Sequence, residues 1–86
     1  MKKFVELAVG DVIVGASQNK AWPCHKVTGW TIYGRDGGLL GYLSFPFLVL
    51  SFNSERGSSY LSYDVLTSSG VGHMYKDDFD FEVVGV

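Results

Sequence analysis

No stretch of about eleven residues or more in this chain repeats apolar side chains at helical spacing. Short apolar runs instead alternate with polar residues, or stand continuous, between turn residues. The 11 glycines among 86 residues fall at intervals between those runs and do not gather in a linker. A chain patterned this way can bury its apolar groups only on the faces of strands. The expectation is therefore an all-β fold, a small barrel or strongly curved antiparallel meander of five to six strands, with little or no helix.

The individual elements follow from local chemistry. Phe4 to Leu7 forms the first, and Gly10-Asp11 supplies the turn before a strand at Val12-Ile13-Val14. Gly15 to Pro23 reads as irregular. Lys26 to Tyr33 reads as one strong strand, with Val27 and Tyr33 on one face and Trp30 and Ile32 on the other. Gly34 to Gly38 is a hairpin loop returning through Leu39 to Ser44, and Pro46 marks a bend, bulge or edge because it cannot donate to a ladder. Phe47 to Phe52, apolar on both faces except for Ser51, should be the most buried strand. Asn53 to Ser59 is a second loop, Tyr60 to Thr67 alternates, and Ser68-Ser69-Gly70 turns into a short strand at Val71 to Tyr75. The clearest period of two is the last, Phe79, Phe81 and Val83 against Asp80 and Glu82.

Composition limits the function classes. The chain is 47% apolar with a formal net charge of -2, too apolar for disorder and too weakly charged for general attraction to phosphate or anionic lipid. Its 86 residues support a single small domain, residues 1–86, with one core. One cysteine forms no internal disulfide and supplies no ordinary structural zinc set. Glu6 and Asp11 interrupt the apolar run that a signal peptide would need, and the uncharged stretch from Gly37 to Ser54 carries too many glycines and polar residues for a membrane span. A cytoplasmic setting without membrane contact is expected. Charge is uneven: residues 1–35 hold five basic against two acidic side chains, and residues 36–86 hold two basic against seven acidic. Internal pairing of the two halves would consume this asymmetry.

Two segments carry a family resemblance. Leu7-Ala8-Val9-Gly10-Asp11-Val12-Ile13-Val14 resembles the opening of SH3-like small β-barrels. Tyr63 to Thr67, continued through Gly70 to Phe81-Glu82-Val83-Val84, resembles their closing hairpin and final strand. The resemblance covers about half the chain. It implies a bent meander of the type frequent among small phage-encoded and translation-associated domains, an architecture that hosts many unrelated functions. The proline-peptide groove of signalling SH3 domains is not implied, because the loop Gly15 to His25 carries Lys20 and no acid.

Three constellations could carry chemistry. Cys24 beside His25 is raw material for a nucleophile or a metal ligand, but neighbours in extended chain point to opposite sides. Cys24 reads as a small buried hydrophobe, and His25 and His73 as exposed or capping residues. A metal site of His73 with Asp77 or Asp78 is not demanded by spacing, and no metal or cofactor is expected. Asp77, Asp78, Asp80 and Glu82, with Tyr75, form an acidic ridge suited to a protein partner. Lys20, Trp22, Lys26, Trp30 and Arg35 form an alternative set for nucleic acid, where a basic groove with stacking aromatics would be needed, though the acidic balance weakens it. Phosphate-binding glycine loops, nucleophile elbows and HExxH sets do not occur.

Thirteen aromatics, 15% of the chain, exceed what so small a core can enclose, so some must face outward, and the apolar strand near Pro46 could pair with a second copy. The reading that follows is a non-enzymatic module that binds a protein partner through exposed aromatics and the acidic ridge. A nucleic-acid-binding barrel and a structural or self-associating subunit are the alternatives, and an enzyme built on Cys24 and His25 stands behind them.

Overall fold

The computed structural model describes residues 1–18, 22–54 and 61–84. Among them are nine strands and one 3-10 turn: β1 (Lys2–Lys3), the turn Phe4–Glu6, β2 (Val12–Gln18), β3 (His25–Val27), β4 (Gly29–Tyr33), β5 (Leu39–Ser44), β6 (Phe47–Ser54), β7 (Leu61–Thr67), β8 (Gly70–Tyr75) and β9 (Asp80–Val84). All pairings are antiparallel, in the order β1-β9-β2-β6-β7-β8-β4-β5, with β3 on β2.

The pairing runs as a path with β1 and β5 at its ends and β3 branching from β2. At Val12 and Ile13, β2 pairs with both β6 and β9, and at Ala16 and Ser17 with both β3 and β9. One edge of β2 therefore belongs to β9, and the other is shared in succession by β6 and β3. From β6 the pairing runs through β7 and β8 to β4, which Thr28 alone separates from β3. This is the all-β, barrel-like meander that the alternation implies.

The strand count exceeds the expected five to six in part because Lys2–Lys3 pairs with β9 as a strand of its own and one expected strand is two, and other segments depart locally from the expected pattern. The segment Lys26 to Tyr33 breaks at Thr28, whose carbonyl accepts the Phe45 N–H, so Val27, Trp30 and Ile32 all contact the core. Phe4 to Leu7 is not a strand. Phe4 and Leu7 are both buried, Val5 and Glu6 are exposed, and Glu6 Oε1 accepts the Lys3 N–H at 2.8 Å, which tightens the segment into a 3-10 turn. Likewise Gly15 to Gln18 continues β2 instead of being irregular, because Ala16 and Ser17 are buried between β3 and β9.

Phe47, Phe81, Ile13, Ile32, Met74, Val49 and Val65 fill the centre with almost no exposure. Each such side chain contributes about 1.5–3 kcal/mol relative to solvent. The segment Phe47 to Phe52 is less uniformly interior than expected: Phe47 and Val49 are buried, whereas Phe52 is 48% exposed. Alternation resumes past the irregularity between Val49 and Ser51. The chain is held at its N-terminal side by Lys2 Nζ, 2.9 Å from Asp11 Oδ2, and by Lys3 Nζ, 2.7 Å from Asp80 Oδ1. The second pair joins the basic half to the acidic one. Asp11 also closes its turn. Its Oδ2 accepts the Ala8 N–H, its own N–H donates to the Ala8 carbonyl, and Gly10 takes the positive φ of 94° that this turn needs.

Candidate functional site

The β7–β8 hairpin turns at Ser68-Ser69, and its register sets Asp64 directly opposite His73. Asp64 Oδ2 accepts the Ser51 hydroxyl at 2.8 Å, Oδ1 accepts the Asn53 amide at 2.9 Å, and His73 Nδ1 lies 2.6 Å from Oδ1. That last approach is close but off line, and Nδ1 makes no well-directed hydrogen bond. Three strands are thus tied through one half-buried carboxylate. Beside it, Tyr33 of β4, opposite His73, packs edge to face on Tyr75 with ring centroids 5.3 Å apart.

Tyr33, Asn53, Asp64, His73 and Tyr75 line a broad concavity of about 1420 Å³. Arg35 and Asp36 from the β4–β5 turn and Lys76, Asp77 and Asp78 from the β8–β9 connection form its rim. The basin thus combines an aromatic pair, a polar floor hydrogen-bonded through Asp64 and side chains of both charges at its margin.

The structure divides the acidic ridge. Tyr75, Asp77 and Asp78 belong to the concavity, and the Asp78 N–H donates to Asp77 Oδ1 at 2.7 Å. Asp80, half-buried on β9, is engaged by Lys3, whose ammonium is held above its ordinary pKa chiefly by that hydrogen bond. Glu82 is exposed opposite Gly15.

The alternative basic set is dispersed. Lys20 lies outside the described residues. Trp22 is 97% exposed and Lys26 is exposed on β3, whereas Arg35 lies past the far end of β4. Trp30 packs against Phe79 and Phe81 at 5.0 and 5.1 Å, which leaves it half-buried.

Cys24 is exposed, not the buried hydrophobe that its residue type implies, because it precedes β3 on an outward segment. His25 is exposed on β3 and packs its ring against Phe79, 6.0 Å away. His73 is neither exposed nor a cap: its side chain retains 22% exposure beside Asp64. Among the described residues no group of three or more His, Cys, Asp or Glu side chains is placed to hold a metal ion.

Outward aromatics are present as the composition requires, with Tyr42 61% exposed in addition to Trp22 and Phe52. Among the described residues strand β5 ends the ladder and pairs only with β4, and it exposes Leu39 and Leu40. Among the described residues no helix is long and apolar enough to cross a membrane. No protein-family model, curated protein or solved structure matches the chain.

Proposed function

We propose that this chain is a non-enzymatic binding module that engages a protein partner through the concave surface of β4, β7 and β8. The observation that carries this reading is the Tyr33–Tyr75 pair set in a charged-rimmed basin whose floor is already cross-linked by Asp64. Rigid aromatics lose little freedom on docking, and a prearranged floor lowers the cost further. Asp77 and Asp78 steer a basic partner to the rim. The action would be occlusion or tethering in a cytoplasmic setting, on a barrel of the SH3-like type that both ends of the chain resemble.

Affinity capture of the tagged chain from lysate, with and without nuclease, tests this. A nuclease-resistant stoichiometric protein should be retained by wild type, lost with Tyr75→Ala plus Asp78→Lys, and kept with Glu82→Lys. Retention that disappears with nuclease transfers the role to nucleic acid and to Trp22, Lys26 and Arg35.

Self-association is a second reading, favoured by β5. This terminal strand exposes Leu39 and Leu40 without a charge along it, where edges are ordinarily guarded by charge or proline. Sedimentation of wild type against Leu40→Lys decides it: a dimer that becomes monomeric supports the edge, and a monomer throughout removes it.

A further inference from the structure

On the other side of Asp77 from the tyrosine basin lies a smaller recess of about 210 Å³. Trp30, Tyr42 and Phe79 contribute three aromatic residues to its wall, and Asp77 contributes a carboxylate. The Trp30 and Phe79 rings meet nearly at right angles, 83° between planes at 5.0 Å, and both are only half-buried, so each keeps surface for a ligand. Tyr42 reaches the recess across Gly29: a Cβ at that position would stand 2.8 Å from Tyr42 Cε1. The absent side chain at Gly29 is what lets an edge-strand tyrosine lie over β4.

From these features we infer that the recess receives a methylated ammonium group, carried on a lysine side chain of a protein partner. Three aromatic π-systems with one carboxylate match a soft, weakly hydrated cation, whose charge is attracted to ring faces and whose methyl groups fill apolar space. A bare ammonium keeps its hydration shell more tenaciously and gains less from the rings. Asp77 suits the role because, among the described residues, its carboxylate accepts only the Asp78 N–H and has no cation beside it, whereas Asp11 and Asp80 are paired with Lys2 and Lys3. The volume is below the roughly 300–1,000 Å³ of sites for drug-sized ligands, so it fits a headgroup and not a whole small molecule. Asp77 lines both the recess and the larger basin, so a peptide seated in one can place a side chain in the other. The source of the cation rests on the proposed partner-binding role. The affinity for methylated ammonium itself does not.

The experiment is a titration of the whole chain followed by the Trp30 indole N–H resonance. Tetramethylammonium chloride is compared with sodium chloride at equal ionic strength, then a short peptide bearing trimethyllysine with its unmethylated form. Tetramethylammonium should give a saturable shift that sodium does not. Tyr42→Ala, an exposed position, should weaken it about tenfold or abolish it, and Asp77→Asn should weaken it several-fold. The methylated peptide should bind more tightly than both the free ion and the unmethylated peptide. Identical responses to tetramethylammonium and sodium overturn the inference, as does binding unaffected by Tyr42→Ala in a variant with native circular dichroism. Binding of the free ion with no preference for the methylated peptide overturns the lysine source alone. Failure to capture a protein from lysate alongside saturable ion binding removes the partner role and leaves the recess standing.

Discussion

The Tyr63 hydroxyl donates to the Leu7 carbonyl oxygen at 2.9 Å, a buried bond spanning 56 positions of sequence. It fixes the N-terminal turn to the middle of β7, and Phe4 and Phe52 pack on the same ring at 4.8 and 5.0 Å. Tyr63→Phe keeps those ring contacts and strands the Leu7 carbonyl, so it should cost about 1–3 kcal/mol in urea unfolding with an unchanged slope.

The same hydroxyl sets an alkaline limit. Burial, and secondarily the Asp11 charge, raise Tyr63 above its ordinary 10.0. Because the folded value exceeds the unfolded one, this stabilisation is complete below the unfolded pKa and is lost as pH rises through the folded value. Stability measured against pH should decline in that alkaline window, and Tyr63→Phe should flatten the decline.

At acid pH Asp11 contributes, its carboxyl held below its ordinary 3.8 first by the Lys2 ammonium and then by the Ala8 N–H. The depressed folded value means that the contribution is present above the unfolded pKa and is lost as pH falls through the folded one. Asp11→Asn should therefore destabilise the protein at neutral pH and make its acid limb shallower, which chemical denaturation at stepped pH will show.

Close approach leaves no room for a side chain at Gly29, which faces the Leu43 carbonyl, or at Gly72. A Cβ on Gly72 would overlap Ile32 Cγ2 and stand 2.9 Å from the Tyr33 carbonyl oxygen, whereas one on Gly15 would meet only the Glu82 side chain, at 3.2 Å. Gly72→Ala should lower stability by about 1–3 kcal/mol and Gly15→Ala by distinctly less, compared by thermal or urea unfolding.

Coupling across the hairpin is measurable directly. A double-mutant cycle with His73→Ala and Asp64→Asn should return an interaction energy of about 0.5–1 kcal/mol in urea unfolding.

Much of this fold is legible from pattern alone. β5, β8 and β9 begin and end close to where alternation and turn residues place them, because each is a strand with one wet face and a glycine, serine or aspartate boundary. Of the site, the sequence points to Tyr75, Asp77 and Asp78, but a turn read as Ser68-Ser69-Gly70 conceals the pairing of Asp64 with His73, which the two-residue turn at Ser68-Ser69 fixes. What pattern could not show is where a strand changes partner. Nothing in Val27-Thr28-Gly29 distinguishes a continuous strand from one that leaves β2 and joins β5, because that break depends on the Phe45 N–H arriving from elsewhere. The aromatic recess was hidden for the same reason, since Tyr42 and Phe79 come together only through packing across Gly29.

The pairing of β2 on both edges also bears on the order in which the chain assembles. The β7–β8 hairpin can form early over its two-residue turn, but β2 cannot complete its pairing until Ile13 has found both Phe47 and Val83. Closing such long loops precedes the reward of the contacts they bring, which slows the search and leaves unpaired edges available to other chains meanwhile. Substitutions in the hairpin should then act mainly on the folding rate, and substitutions on β9 mainly on the rate of unfolding.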